Sequence, residues 1–163
     1  MNLTRKDIED LKEEIEFRKN ERPKILEELK EARAQGDLSE NFEYTMAKRA
    51  NNQNNSRVRY LENIIRTATI ITDTTGDDEV GLNKEVTVHS DDDGDETYKI
   101  VSSIRGNSME HRISPESPLG KALMHRKVGE TVTVVVNDTF SYDVTIRSIK
   151  PIEDDGTDGL RQY

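Results

Sequence analysis

The sequence predicts a two-domain α+β protein. An N-terminal antiparallel helical hairpin spans residues 1–75, and a small domain of antiparallel sheet plus one helix spans residues 76–163. Three observations predict it. Apolar residues recur at helical spacing before Gly76 and at alternating spacing after it. Charged residues make up 35% of the chain against 32% for the apolar set. That is too polar for one large core, yet too patterned for a disordered chain. The charge also divides unevenly, with 14 basic and 15 acidic residues in 1–75 but 10 and 18 in 76–163. This change of character supports a boundary near Gly76.

The same numbers exclude function classes. A formal net charge of −9 argues against simple binding to a nucleic-acid backbone, which needs cations to displace counterions. The absence of cysteine excludes disulfides and thiolate zinc sites. No apolar run resembles a signal peptide or approaches membrane-spanning length, so a soluble cytoplasmic protein with no membrane partner is expected.

The first helix opens at Thr4, with Asp7 three positions later. Leu3, Ile8, Leu11 and Ile15 fall on one helical face, and Pro23 is expected to end or kink the helix because it lacks a backbone donor. The pattern resumes at Ile25, Leu26, Leu29, Ala32 and Ala34, then stops at Gln35-Gly36, where glycine suits a C-cap. A second helix is expected from Asp37 or Ser39 to about Ile71. Its seam reads Ala47, Ala50 or Asn51, Asn54, Val58, Leu61, Ile65 and Ala68. So short a connection makes the two helices antiparallel, and about thirty residues per arm gives a rod of roughly 45 Å. The Asn51–Asn55 run should make the hairpin locally polar and weak.

After Gly76, strands are expected at Glu85–His89 and Thr97–Val101, joined by a turn at Asp91–Asp95. Ser117-Pro118 supplies an N-cap and a first-turn proline for a short helix to about His125. Val128-Gly129-Glu130 turns the chain into strands at 131–136 and 140–149, and a polar, loose tail follows Pro151. His89, His111 and His125 show no metal-ligand spacing, and the Asp91–Asp95 run lacks the later glutamate of a calcium loop.

The chain reverses at Gly36-Asp37-Leu38-Ser39-Glu40-Asn41-Phe42-Glu43-Tyr44. Asp37 and Glu40, three apart at a helix start, place two carboxylates at one end of the rod. Two roles stay open on physical grounds. Such a pair caps orphan amides and the helix dipole, and it also supplies oxygen ligands of the kind magnesium takes.

The segment Glu31–Tyr44 resembles the hairpin-tip signature of the Gre family of bacterial transcript-cleavage factors, in its GreA-like form. Glu21–Ile25 is similar to the family's first arm. Ile113–Leu123 with Val128-Gly129-Glu130 is similar to the helix and turn of its FKBP-like second domain. The resemblance implies an accessory factor with no turnover of its own, acting as a monomer on bacterial RNA polymerase. Its hairpin would enter the secondary channel of a backtracked enzyme. There Asp37 and Glu40 would help hold a second Mg2+ and the attacking water, so that the polymerase cleaves its own RNA at the extruded 3′ end. Asn41 and Glu43 match tip positions that shape the turn. Tyr44 matches one near the RNA end, or is an aromatic packed across the hairpin. Lys48 and Arg49, nearest the tip among Lys48, Arg49, Arg57, Arg59 and Arg66, meet RNA or acidic channel walls, or form a solvated face. Ser117 and Pro118 match the loop that docks on the channel rim, a role additional to capping.

Phe42 departs from the family, which usually has a small residue there, and the Asn51–Asn55 run replaces a stretch that usually includes a large apolar residue. The alternative function is a Gre-like paralogue that occupies the channel and inhibits. Such paralogues carry extra tip acids, whereas this tip has the plain Asp-x-x-Glu. An independent phosphodiesterase or prolyl isomerase is disfavoured, since no second ligand cluster exists and the second domain has few aromatics.

Overall fold

A computed structural model describes residues 1–36, 41–152 and 158–160. It forms two compact units, one of Arg5–Ala68 and one of Met1–Thr4 together with the chain from Thr69 onward. Residues 69–75 thus belong with the second unit rather than the hairpin, and so does the start of the chain. The reason is a short parallel pair. Strand β1 (Asn2–Leu3) lies against β2 (Thr69–Ile70), and the Ile71 amide donates to the Leu3 carbonyl at 2.8 Å. Two-residue strands carry no periodicity, and Leu3 reads in the sequence as the first residue of a helical stripe.

The hairpin consists of α1 (Arg5–Ala34) and α2 (Phe42–Thr67). Helix α1 runs through Pro23 without ending there, contrary to one of the two outcomes expected of that residue. Pro23 is exposed, so water can replace the N–H that it cannot offer to the Lys19 carbonyl. The seam buries Leu11, Ile15 and Ala32 against Ala47, Val58, Leu61 and Ile64. Ile64 takes the buried place expected for Ile65, which is half-buried.

The polar part of the seam is bonded rather than weak. Asn54, 6% exposed, donates from Nδ2 to the Arg18 carbonyl at 2.9 Å, and Arg22 Nε donates to Asn55 Oδ1 at 3.1 Å. Arg57 is buried and donates to both Glu14 oxygens, at 3.1 and 3.4 Å. Lys19 and Glu62 pair across the hairpin at 2.8 Å. Each such bond contributes about 1 kcal/mol net, and a buried polar partner also fixes which residues face each other. Helix α2 therefore continues unbroken through the asparagine run.

The second unit is built on a five-stranded sheet in the order β5-β4-β3-β7-β6, comprising β3 (Lys84–Ser90), β4 (Gly94–Ile100), β5 (Arg112–Ile113), β6 (Thr131–Val135) and β7 (Ser141–Pro151). Neighbours are antiparallel except β4 and β5, a short parallel contact that the sequence does not signal. Alternation works as expected. Val86, Val88, Val132, Val134, Val144 and Ile146 point into one core, joined by Ile100 and by Leu123 of α3 (Pro118–Leu123). The β3–β4 turn sits at Asp91–Asp93, with Gly94 at φ +73° where a side chain would be strained. Lys84 is buried and its ammonium donates to Thr75 Oγ1, Gly76 O and Glu79 O at 3.0, 2.5 and 2.8 Å, which ties residues 75–79 to β3.

The tail is not uniformly loose. The Ile152 amide donates to Asn83 O at 2.9 Å, and Asp158 is held by basic side chains of the sheet unit. No helix among the described residues is long and apolar enough to cross a membrane.

Candidate functional site

The connection between α1 and α2 holds the residues singled out by sequence. Asp37 and Glu40, with Leu38 and Ser39, lie outside the described residues, and the site is built from its flanks. On the α1 side the helix ends at Ala34, and Gly36 adopts φ +116°, the conformation that suits a glycine C-cap. On the α2 side the helix starts at Phe42 and not at Asp37 or Ser39. Its N-cap is Asn41, extended at φ −84° and ψ 98°, whose Oδ1 accepts from the Tyr44 amide at 3.0 Å.

Asn41 also works in the other direction. Its Nδ2 donates to the Ala32 carbonyl at 2.6 Å, and the same carbonyl accepts from the Gln35 amide at 3.2 Å. One carboxamide therefore satisfies an orphan donor of α2 and adds a second bond to a carbonyl in the last turn of α1. Short polar side chains cap helices, but the sequence did not reveal that this cap also grips the preceding helix. With Asn41 in the cap position, Asp37 is not the N-cap of α2, and Glu40 precedes the helix instead of lying at its third position.

The remaining tip residues divide by environment. Glu43 is exposed in the first turn of α2. Tyr44 is half-buried, and the Arg33 guanidinium of α1 lies 5.7 Å from its ring centroid, a cation–π contact across the hairpin. Arg33 was not singled out by sequence, because a cation in a helix's last turn is ordinarily explained by the dipole alone. Phe42, the first residue of α2, is 73% exposed, far more than packing would leave. Lys48 and Arg49 are exposed, as are Arg59 and Arg66. Arg57 does not share that face, being buried against Glu14.

In the second unit, Ser117 and Pro118 open α3 as expected. Ser117 Oγ accepts from the Gly120 amide at 3.1 Å and donates to the Ser114 carbonyl at 2.7 Å, while Pro118 is exposed at the first helical turn. The unit also holds a cleft of about 530 Å³ that gathers Tyr98, Phe140 and Tyr142 beside Asp93, Glu96 and Asp143. Its aromatics are few but brought together. Burial, then the hydrogen-bonded Glu96 carboxylate, pushes the Tyr98 phenol well above its ordinary range, and burial raises Tyr142. His89 pairs with Asp95 at 2.7 Å and His125 with Glu79 at 3.7 Å. Among the described residues no group of three or more His, Asp or Glu could hold a metal ion.

Comparison with known proteins agrees with this arrangement. Residues 1–70 match the family model described as "Transcription elongation factor, N-terminal", and residues 74–151 match "Transcription elongation factor, GreA/GreB, C-term". The chain is 44% identical over 134 residues to transcription elongation factor GreA of Bacillus subtilis, covering 81% of this chain and 85% of that one. It is 43% identical over 136 residues to GreA of Thermotoga neapolitana, covering 82% and 87%. A solved structure of the transcription factor Gfh1 is similar at a TM-score of 0.46 and 23% identity, covering 91% of this chain and 96% of that one. With both of its halves matched in order and close relatives across most of its length, this chain belongs to the GreA/GreB family of transcription elongation factors.

Proposed function

We propose that this chain places its hairpin in the secondary channel of bacterial RNA polymerase and stimulates the enzyme's own cleavage of backtracked RNA. The observation that carries the reading is the position of the acid pair. Asp37 and Glu40 stand between the end of α1 and the cap of α2, in a connection whose two ends Asn41 ties together. Thirty residues of α1 give about 45 Å of reach.

The donor set fits a shared magnesium ion. Two carboxylates offer hard oxygen ligands, enough to complete a site beside a phosphate-bearing partner and too few to make a cage. A magnesium ion held there would help activate water and stabilise the leaving oxygen. The chain's own part is to carry the carboxylates between the two helix ends that Asn41 joins, with Glu43 and the Arg33-braced Tyr44 beside the RNA 3′ end. Lys48 and Arg49 face RNA or acidic channel walls. Ser117 and Pro118 dock on the channel rim, and the factor acts as a monomer.

The inhibitor reading is less well supported, because the connection carries no acids beyond the Asp-x-x-Glu pair. The test is cleavage of RNA in a backtracked complex whose transcript is labelled at its 3′ end. Wild type should accelerate cleavage, while Asp37→Asn and Glu40→Gln bind polymerase equally and do not. Wild type that binds, slows nucleotide addition and cleaves nothing would replace this reading with the inhibitory one.

A further inference from the structure

Asp158 is bound by a cluster of basic side chains of the sheet unit. Lys99 of β4 and Arg112 of β5 are register partners on adjacent strands, and like charges placed side by side on a sheet repel. Both are largely removed from water, with side chains 17% and 11% exposed. Arg105, 8% exposed, comes from the short 3-10 turn Ser103–Arg105. These cations converge on one residue. Asp158 Oδ2 pairs with Lys99 Nζ, Oδ1 lies 3.7 Å from Arg112 Nη1, and the Asp158 carbonyl accepts from Arg105 Nη1 at 2.7 Å. Arg112 is further positioned by donating from Nε to the Arg105 carbonyl at 2.9 Å.

We infer that Lys99, Arg105 and Arg112 form an oxyanion site that the chain fills with its own Asp158. Residue 158 presents three acceptor oxygens to three cations, the number that a phosphate monoester offers through its terminal oxygens. Charge-assisted bonds of this kind are about twice as strong as neutral ones, and arginine geometry suits phosphate as well as carboxylate. The cleft beside the cluster has a volume of about 480 Å³, enough for a small oxyanion. Glu85 and Glu110 also line it, Glu110 pairing with Arg112, so the field is positive but tempered. The internal carboxylate thus occupies the cations, and an anion that takes the site must displace Asp158 from them.

The test is a titration of the isotope-labelled full chain with inorganic phosphate, followed by NMR at constant ionic strength. Asp158→Asn keeps the shape and removes the charge. It should bind phosphate roughly 10-fold more tightly than wild type, as expected when one charge-assisted bond no longer competes for the cations. The shifts should centre on Lys99, Arg105 and Arg112 and disappear in Asp158→Asn combined with Lys99→Gln. A folded Asp158→Asn that shows no shifts there, or shifts unaffected by Lys99→Gln, overturns the inference. A second measurement needs no variant. In wild type, amide exchange at residues 158–160 should quicken with phosphate and not with chloride, and equal exchange in both salts would also overturn it.

Discussion

Replacing Gly120 by alanine sets two effects of opposite sign against each other. In most helices the change stabilises by about 1 kcal/mol, because alanine loses less backbone entropy. Here an added Cβ would lie 1.9 Å from the Ser114 carbonyl oxygen, 2.8 Å from its carbon and 2.9 Å from Ser117 Oγ. The first two are backbone atoms. They cannot swing aside, so the cost lies at the top of the range for overpacking, about 3 kcal/mol. Moving Ser117 Oγ also disturbs the bond to the Gly120 amide, a cap worth about 1 kcal/mol. The clash and the lost cap outweigh the propensity gain, for a net destabilisation of about 3 kcal/mol. In a unit of roughly 100 residues that lowers the midpoint of thermal unfolding by about 12–24 °C. Thermal unfolding followed by circular dichroism measures it, with Gly159→Ala as control, since nothing lies within 4 Å of the Cβ position there. On the docking role proposed for Pro118 and for Ser117, the N-cap of α3, the same variant should also weaken polymerase binding. A midpoint for Gly120→Ala equal to or above wild type would refute the reasoning from close approach.

Three further outcomes follow from the structure. Asn41→Ala removes the cap of α2 and the bond to Ala32, and should destabilise the hairpin by about 1–2 kcal/mol in denaturant titrations while reducing RNA cleavage. Glu14→Ala removes the carboxylate that Arg57 holds with two donors. Glu14 is 22% exposed, so the loss should be about 2 kcal/mol, below that of a fully buried pair. At high pH, the raised Tyr98 and Tyr142 phenols keep protons that the unfolded chain releases near its ordinary tyrosine pKa. Their contribution is complete below that value and lost as pH rises through the folded-state values, so stability should fall above about pH 10. Tyr98→Phe should flatten that fall.

The elements long enough to show a period were legible from sequence, namely the two helices and the four longer strands. What escaped was short or polar. Strands β1, β2 and β5 have two residues each, and their pairing depends on distant backbone rather than local pattern. Arg57 and Lys84 are buried through specific partners, and a reading based on apolar spacing assigns such residues to the surface, whereas Asn54 was already legible as a seam residue. Pro23 misled because its cost depends on whether water reaches the freed carbonyl. At the hairpin end, the acid pair was visible as residue type and spacing, whereas the start of α2 was placed too early. Aspartate, serine and asparagine all cap helices, and only the tertiary bond from Asn41 to Ala32 selects the third. Asp158 escaped for a similar reason, since a polar segment rich in Asp reads as solvated until the cations it meets are brought together by the sheet.

The most direct test of the central claim is the magnesium dependence of cleavage in a backtracked polymerase complex, with wild type beside Asp37→Asn and Glu40→Gln at saturating factor. If the hairpin lends carboxylate ligands to a shared ion, each variant should need more magnesium for half-maximal cleavage, and high magnesium should restore part of the rate. An unchanged magnesium requirement, with cleavage merely lowered or not affected at all, would contradict a ligand role for Asp37 and Glu40.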